Sequence, residues 1–412
     1  MKFSEVRALL KQAGRDACVL AGRDAQCKVL VCPELAGRVL GTTSGGENGA
    51  FGGFIDAQAF QEGMKDIWDN WGGEERYWVA PEGGQFGLMF KDQCECFAHY
   101  DVQEGINRTP YQVLEVSPQA KSLTMRCRMH LKNKLGTHFH LEVTRRITVL
   151  DDCPYSNGCG DAVRFVGFQS ESSLLNIGER PFARETGTLA HWHLGQFLVG
   201  DHLIGIVPFC PDDRAAPPVR EDYFKDFCVG GAMPANRYRL LNNCALFKAD
   251  GKVRSKIGQN RSRATGRLGS YNLETNELIL LDYDFYPQLD YAASYWYEQP
   301  QPYDGDVISF SAEGPARPGG PPGRCYELEA LSPALLLTPG ESFTWRTRTL
   351  HLTGRAVTTA SICQRFLGPN IGQLAAFDRA SAEPAAPAVE NFQPPPLPSE
   401  PINPNVPVEQ RS

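Results

Sequence analysis

The sequence predicts an all-β domain with a short N-terminal helix and a disordered, proline-rich C-terminal tail. Three observations lead to this fold class. Short runs of alternating apolar and polar residues recur along the chain, separated by Gly, Pro, Asn and Asp, as antiparallel strands and their turns require. Helical spacing of apolar residues occurs in the opening segment. From about Ala380 repeated proline removes the backbone donors that a packed sheet needs.

The helix is predicted over residues 3–13, where apolar residues recur at helical spacing. These are Phe3, Val6, Leu9 and Leu10. The same opening segment has no continuous apolar run followed by small residues, which a signal peptide would show. We therefore expect no export.

The strands are predicted from the alternating runs that follow the helix. These runs are QCKVLVCPE, FGLMFK, YQVLEVS, SLTMRCRMHL, HFHLEVTRRITVL, ELILLDYDF, CYELEALS and SFTWRTRTLHL. With 412 residues, 42% of them hydrophobic, the chain is long enough for one large β core. We expect a single β domain over residues 1–379 and the tail over residues 380–412.

Composition excludes several classes of partner. The formal net charge of −7 gives no basic field for nucleic acid or anionic lipid, and no run reaches the roughly 18 apolar residues of a membrane span. Thirteen cysteines without a paired framework indicate free thiols in a reducing compartment, so a cytoplasmic location is expected. The glycine clusters lack phosphate-binding spacing, and no cofactor is expected. The predicted partner is a small molecule or an oligosaccharide.

Two histidine pairs have the spacing of residues that share one face of a strand. His138 and His140 alternate with apolar residues, and His191 and His193 flank a tryptophan in ETGTLAHWHLGQF. Such pairs can bind a metal or supply a proton donor, or they can simply lie on a solvated sheet face. No metal is predicted, because the sequence offers no third ligand beside either pair.

Charged residues cluster in two other segments. In CYELEALS, Glu327 and Glu329 share a strand face; their repulsion would raise a pKa and favour proton transfer, although an exposed polar face would carry them equally well. The basic stretch FKADGKVRSKIGQNRSRATGR includes Arg254 and Lys256. It could bind an anionic substrate, or it could be a solvated hairpin.

The segment WGGEERYWVAPEGGQFG combines glycines, charges and aromatic rings. Glycine allows close approach of the backbone to a ligand, and the side chains offer hydrogen bonds to hydroxyls and a stacking surface. The alternative is a loop whose ion pairs only brace the sheet. A second segment, YDFYPQLDYAASYWYEQPQPYDGD, places aromatic rings beside carboxylates, as pyranose recognition requires. The candidate binding residues of the two segments are Glu74, Glu75, Arg76, Trp78, Gln85 and Trp296.

Several ordered blocks together resemble a bacterial family of unknown function within the galactose-mutarotase-like superfamily. The blocks are NWGGEERYWVAPEGGQF, NIGERPFARETGTLAHWHLGQF, FKADGKVRSKIG, LGSYN, QPYDGDVISF and CYELEALSPALLLTPGESFTWRTRTLHLTG. The resemblance runs from about residue 15 to residue 356. It implies a β-supersandwich, a large curved antiparallel double sheet whose concave face binds a sugar.

The resemblance also implies roles for individual residues. Mutarotases of this superfamily pair a carboxylate that takes the anomeric hydroxyl proton with a histidine that donates to the ring oxygen. By position, Glu327 is the expected base, with Glu329 as the second choice, and His191 or His193 is the expected acid. Arg76 falls where superfamily members bind substrate hydroxyls. Arg184 lies in the histidine block and is a further candidate for substrate binding.

The predicted function is therefore a carbohydrate-binding protein, with a mutarotase or epimerase of the aldose 1-epimerase type as the first hypothesis. A sugar-binding module without catalysis is one alternative. The other is a lyase or hydrolase of uronate-containing saccharides, in which Arg254 and Lys256 would neutralise the carboxylate. The enzyme hypothesis requires that Arg76, one of the two histidines and Glu327 meet in one cleft.

Overall fold

The computed structural model describes residues 1–63, 71–90, 99–119, 121–155, 163–211, 216–223, 236–315 and 320–382. Most of the tail predicted over residues 380–412 lies outside the described residues. The last described helix continues to Ala382, two residues beyond the start of the predicted tail.

Helices form a small part of the fold. They are α1 (Phe3–Gln12), α2 (Ala57–Glu62), α3 (Glu104–Asn107), α4 (Ala356–Leu367) and α5 (Ile371–Ala382). The predicted N-terminal helix is confirmed, and it buries the apolar residues that predicted it. None of the helices in the described ranges is long and apolar enough to cross a membrane.

Strands account for most of the regular structure, as the sequence predicts. They are β1 (Cys18–Ala21), β2 (Lys28–Cys32), β3 (Arg38–Thr43), β4 (Arg76–Ala80), β5 (Gln112–Ser117), β6 (Ser122–Lys132), β7 (His138–Val149), β8 (Val163–Asn176), β9 (Ala190–Leu198), β10 (Leu203–Pro208), β11 (Tyr238–Leu240), β12 (Cys244–Lys248), β13 (Ser255–Asn260), β14 (Arg267–Asn272), β15 (Glu277–Tyr283), β16 (Asp306–Ala312), β17 (Cys325–Leu331) and β18 (Ser342–Gly354).

The strands form three antiparallel sheets. A ten-stranded sheet has the order β11-β12-β10-β14-β15-β18-β8-β7-β6-β5, a five-stranded sheet has the order β13-β16-β17-β9-β4, and β1, β2 and β3 form a small third sheet. In the five-stranded sheet, some neighbouring strands are far apart in the sequence: β4 pairs with β9, and β9 pairs with β17. This topology brings early, middle and late parts of the chain together in the five-stranded sheet.

The five-stranded sheet packs one face against the ten-stranded sheet. The hydroxyl of Tyr326 on β17 lies 2.7 Å from that of Ser270 on β14. Gly205 on β10 leaves room for the ring of Phe310 on β16, because any Cβ at Gly205 would overlap that ring. Helices α4 and α5 cover the other face of the ten-stranded sheet. The five-stranded sheet therefore has an inner face, which contacts the ten-stranded sheet, and an outer face.

Two local predictions of secondary structure are wrong. The run FGLMFK, residues 86–91, was expected to be a strand, but its described part forms turns with one isolated bridge between Phe90 and Tyr100. Closely spaced glycines, with Gly84 at a φ of 78°, favour turns over a strand there. Helices α4 and α5 were not predicted, because the β-branched residues of AVTTASIC obscure the helical spacing in α4.

Candidate functional site

Strand β17 presents its two carboxylates on the outer face of the five-stranded sheet. Side chains alternate between the faces of a strand, and Tyr326 and Leu328 pack into the core between the sheets. Glu327 and Glu329 point the other way. The sequence predicted that these two residues share a face, and the structure confirms that placement.

Arg76 meets Glu327 across 251 residues of sequence. Arg76 begins β4, and β9 lies between β4 and β17 in the sheet. The guanidinium Nη2 lies 2.6 Å from Glu327 Oε1, and the same oxygen accepts a hydrogen bond of 3.0 Å from Gln196 Nε2 on β9. The Glu327 side chain retains 19% of its exposure, against 6% for Arg76. Glu327 is thus an oriented carboxylate that solvent can reach.

Glu329 lies below Glu327 in a closed environment. Its side chain is 0% exposed, and Lys256 Nζ, on β13, lies 3.0 Å from each of its oxygens. The indole Nε1 of Trp192 donates a hydrogen bond of 3.1 Å to Glu329 Oε2. In the sheet register, Lys256 pairs across β16 with Ser311, which pairs with Glu327. Lys256 therefore reaches diagonally to Glu329 rather than straight across.

A third carboxylate, that of Glu82, extends this cluster. It accepts hydrogen bonds from the hydroxyls of Tyr100, at 2.9 Å, and Tyr223, at 2.8 Å. Its Oε2 lies 4.0 Å from Lys256 Nζ, which also sits 4.2 Å from the ring centroid of Tyr223. The ammonium of Lys256 thus lies between the carboxylates of Glu82 and Glu329.

The environment shifts the pKa values of Glu329 and Lys256. Burial raises the pKa of Glu329 to about 7, and the negative charges of Glu327 and Glu82 add to this effect while Lys256 opposes it. Burial lowers the pKa of Lys256, but the carboxylates outweigh that effect and raise it. Near neutral pH, Glu329 can therefore hold or release a proton beside the carboxylate that Arg76 contacts.

Aromatic rings enclose the cluster. Trp78 and Trp192 pack edge to face at 5.5 Å, and the Arg76 guanidinium lies 4.9 Å above the Trp78 ring. Trp296 stacks on Tyr100 at 5.3 Å. Trp78 and Trp296 were predicted as substrate-binding surfaces, but they are 5% and 8% exposed. Their observed contacts support the charged side chains and the surrounding loops.

The two histidines of β9 do not reach Glu327, which corrects the prediction that one of them is its acid partner. His191 and His193 are 0% and 1% exposed and lie on the inner face of the sheet. His191 contacts the hydroxyl of Tyr77 at 2.8 Å and the carbonyl oxygen of Phe343 at 3.2 Å. Burial lowers the pKa of His191 to about 4, so this imidazole is neutral at physiological pH.

His193 is likewise part of the contact between sheets. Its Nδ1 lies 3.1 Å from the hydroxyl of Thr347 on β18 and 3.5 Å from Glu75 Oε1. Glu75 forms an ion pair of 2.7 Å with Arg145, and both side chains are almost fully buried. Glu75, which was predicted to bind substrate, thus has its charge paired inside the core.

Glu74 and Gln85 also have structural partners instead of the predicted exposure to substrate. Glu74 accepts hydrogen bonds from the backbone and hydroxyl of Thr42 and lies 3.1 Å from His351 Nε2. The Gln85 amide makes two hydrogen bonds to the backbone of Gln299, of 2.8 and 3.1 Å. For these two residues the alternative interpretation of a bracing loop is the better one.

The remaining predicted residues lie outside the cluster. Arg184 pairs with Asp290 and lies 4.8 Å above the Tyr303 ring. Arg254 directly precedes β13. His138 and His140 are exposed on β7, where their rings contact that of a third histidine from β6. Within the described ranges, no three His, Cys, Asp or Glu side chains are arranged to hold a metal ion.

Four residues of the cluster were not singled out as site residues from the sequence: Glu82, Tyr100, Gln196 and Tyr223. Gln196 had a usable signal, since alternation along β9 places it on the same face as Trp192. Glu82 lies within the glycine-rich segment WGGEERYWVAPEGGQFG, which was predicted to bind a ligand. Nothing in the sequence pattern distinguishes Tyr100 or Tyr223 from the other tyrosines.

Solved structures with a similar fold support the architecture. A putative aldose 1-epimerase from Escherichia coli K12 matches with a TM-score of 0.50 and 13% identity, over 82% of this chain and 99% of that protein. The Slr1438 protein from Synechocystis sp. PCC 6803 matches with a TM-score of 0.48 and 12% identity, over 83% of this chain and 96% of that protein. At this identity the match to the putative aldose 1-epimerase shows a similar fold and nothing further.

A search of curated proteins found no match. A family model does match: residues 1–377 fit that of DUF6786, a family of unknown function. That match covers most of the chain, and it agrees with the resemblance seen in the ordered sequence blocks. The chain therefore belongs to the DUF6786 family.

Proposed function

We propose that the outer face of the five-stranded sheet binds a carbohydrate, and that the chain interconverts the anomers of an aldose. The observation that carries this proposal is the pairing of Glu327 with Arg76 and Gln196, which orients a solvent-accessible carboxylate beside a second carboxyl that holds a proton near neutral pH. The aldose 1-epimerase-like fold supports it as an analogy of fold.

The two carboxyl groups have different roles in this reaction. Glu327, oriented by Arg76, takes the proton of the anomeric hydroxyl. Glu329 in its neutral form gives its proton to the ring oxygen, so that the ring C–O bond breaks and an open-chain aldehyde forms. Ring closure on the other face of the aldehyde returns both protons. A positioned proton acceptor beside a positioned proton donor is what such acid and base catalysis requires.

The proposed acid differs from the histidine expected from the resemblance. The outer face of β9 presents Trp192, Leu194 and Gln196, none of which titrates near neutral pH, while the imidazoles are on the inner face. Glu329 occupies the adjacent strand and hydrogen-bonds Trp192. In this proposal Glu329 on β17 therefore acts as the acid, in place of a histidine on β9.

Anomer exchange of aldoses, followed by NMR or polarimetry, tests the proposal. We expect wild-type protein to accelerate exchange for at least one aldose in a panel of neutral sugars and uronic acids. Glu327→Gln should reduce the rate by about 10²- to 10⁴-fold, the usual contribution of a general base. The matched control is Glu115→Gln, an exposed carboxylate on β5 at the far edge of the ten-stranded sheet, which should leave the rate unchanged.

A sugar-binding module without catalysis is the second candidate, favoured by the complete burial of Glu329. Calorimetric titration separates the two. Sugar binding without any anomer exchange in the wild-type protein would support the module and contradict the isomerase, whereas failure to bind any sugar would contradict both. The third hypothesis, a uronate lyase or hydrolase, has less support, because Lys256 is already paired with Glu329 and Arg254 is outside the cluster.

A further inference from the structure

A cavity of about 260 Å³ lies next to the candidate site, between Arg220 and Asp222 on one side and the loop that follows Tyr295 on the other. Its lining is mostly polar. The lining residues include Arg220, Asp222, Tyr295, Gln299, Gln301 and Asp304. None of these residues belongs to the Glu327 cluster, so the cavity requires its own explanation.

The charges of the cavity disfavour an anionic ligand. Arg220 directs Nη1 to the Tyr295 hydroxyl at 2.9 Å and Nη2 to Asp304 Oδ2 at 2.8 Å, and Nη1 also donates to the backbone oxygen of Asp304. These hydrogen bonds hold the Arg220 guanidinium in place as part of the cavity wall. With Asp222 also in the lining, the carboxylates outnumber the arginine. Amides, carboxylates and a tyrosine ring together suit a neutral ligand rich in hydroxyl groups.

Gln299 provides the most specific sign of a ligand. Its Nε2 is buried beside the Tyr297 hydroxyl and makes no well-formed hydrogen bond in the part of the chain that the structure describes. Its backbone is held in place by two hydrogen bonds with Gln85, one donated by the Gln85 amide and one accepted by it. A buried donor left without a partner costs about 1–3 kcal/mol. A ligand hydroxyl in the cavity would satisfy this donor.

The cavity and the candidate site share walls. Asp222 lines the cavity, and the next residue, Tyr223, donates to Glu82 and lies over Lys256 in the site. The rings of Tyr223 and Tyr295 are 5.3 Å apart. The segment that carries Asp222 and Tyr223 is fixed to β13 by two backbone hydrogen bonds between Arg220 and Gly258, of 2.8 and 2.9 Å. Asp222 and Tyr223, which are adjacent on this segment, therefore line the cavity and the candidate site respectively.

We propose that this cavity is a second sugar subsite, so that the ligand of the candidate site is an oligosaccharide with at least two rings. The inference rests on the proposed carbohydrate binding at Glu327 and deepens it. The volume is below the ~300–1,000 Å³ of pockets that hold drug-sized ligands, which fits one sugar ring. The second ring would place its hydroxyls at Gln299, Gln301 and the carboxylates.

Calorimetric titration with matched monosaccharides and disaccharides tests the subsite. The probes are glucose and galactose against maltose, cellobiose and lactose. We expect at least one disaccharide to bind about tenfold more tightly than its constituent monosaccharide, a gain of roughly 1.4 kcal/mol. Gln299→Ala should abolish this gain and leave the affinity for the monosaccharide unchanged. The matched control is Gln364→Ala, an exposed glutamine on α4, behind the ten-stranded sheet.

The outcomes distinguish failure of the second subsite from failure of the proposed function. Equal affinity for monosaccharides and disaccharides, or a gain that survives in Gln299→Ala, would overturn the subsite and leave the proposed function standing. Absence of binding for every sugar would overturn the proposed function and the subsite with it. If Gln299→Ala lowers the thermal unfolding midpoint, Gln301→Ala repeats the test with an exposed side chain.

Discussion

The ammonium of Lys256 lies 3.0 Å from both carboxylate oxygens of Glu329, and both side chains are almost completely shielded from solvent. A buried ion pair is weak evidence of net stabilisation, but removing one partner leaves an uncompensated charge. Indole Nε1 of Trp192 is the other hydrogen-bond donor to Glu329. The consequences of breaking this pair therefore depend on whether Glu329 carries a charge.

Lys256→Met should destabilise the protein in a pH-dependent way. At pH 8 we expect the free energy of unfolding to fall by about 3–5 kcal/mol, the usual cost of breaking a buried pair. Without Lys256 the pKa of Glu329 rises further above its present value of about 7. Between pH 4.5 and 7 both folded proteins hold a proton on Glu329 that the unfolded state releases, so the loss relative to wild type should be nearly constant there and should grow as pH rises above 7.

Urea denaturation of Lys256→Met between pH 4.5 and 8 measures this dependence. The double variant Lys256→Met, Glu329→Leu serves as the control, because it removes both charges and should recover much of the stability. An equal loss at all pH values in the single variant would contradict a buried ionisable Glu329.

His351 should contribute stability that is lost at alkaline pH. Its imidazole lies between Glu74, at 3.1 Å, and Glu277, at 3.0 Å, and these carboxylates overcome the effect of burial and raise its pKa to about 10. A raised pKa in the folded state means that the stabilisation is fully present below about pH 6.5 and disappears as pH rises through 10.

His351→Gln should lower the free energy of unfolding by about 3–5 kcal/mol at pH 6.5. The difference between wild type and variant should shrink as the pH of urea denaturation is raised to 10.5. His202→Gln is a suitable control, because that histidine is exposed and pairs with Asp378. A constant difference across this range would mean that His351 is neutral in the folded protein.

The placement of the site shows what alternation along a strand can and cannot predict. The sequence correctly placed Glu327 and Glu329 on one face, and likewise His191 and His193. It could not show which face of β9 turns outward, because eight of its nine residues are buried and neither face has a solvent-exposed pattern. The imidazoles were predicted to face the site, whereas they lie on the inner face and Trp192 contacts Glu329 on the outer face.

Long-range pairing was predictable for a different reason. The resemblance to a known family indicated that Arg76 and Glu327 would meet, which no local pattern could show across 251 residues. The local partners of Glu74, Glu75 and Gln85 depend on side chains from distant strands, such as Arg145 and His351. Their structural roles therefore followed only from the folded chain.

His191→Phe should affect stability but not sugar chemistry. The imidazole is on the inner face, against the hydroxyl of Tyr77, so the variant leaves that buried hydroxyl without its partner at a cost of about 1–3 kcal/mol. Because its pKa is lowered to about 4, the contribution of His191 is present above pH 6.5 and is lost as pH falls towards 4. Anomer exchange and sugar binding should remain at wild-type levels.

Parallel assays of His191→Phe and Glu327→Gln check this separation. Denaturation should distinguish the first variant from wild type, and anomer exchange should distinguish the second. A loss of exchange in His191→Phe while its fold is retained would restore the imidazole as the acid. That result would also contradict the role proposed for Glu329.

Gly258→Ala should disturb the candidate site and the neighbouring cavity together. Gly258 lies on β13 two residues after Lys256, and a Cβ there would overlap the carboxylate of Asp306, which accepts a hydrogen bond of 2.6 Å from the Tyr295 hydroxyl. Overpacking of this kind costs about 1–3 kcal/mol. The displaced carboxylate should move Tyr295, which forms a wall of the cavity, and the strand that carries Lys256.

Gly200→Ala is the control for Gly258→Ala, because a Cβ at Gly200 would meet its neighbours at 3.7 Å. Thermal unfolding and disaccharide titration of both variants measure the effect. A Gly258→Ala protein with wild-type stability and affinity would show that the close contact between Gly258 and Asp306 does not hold the candidate site and the cavity in place.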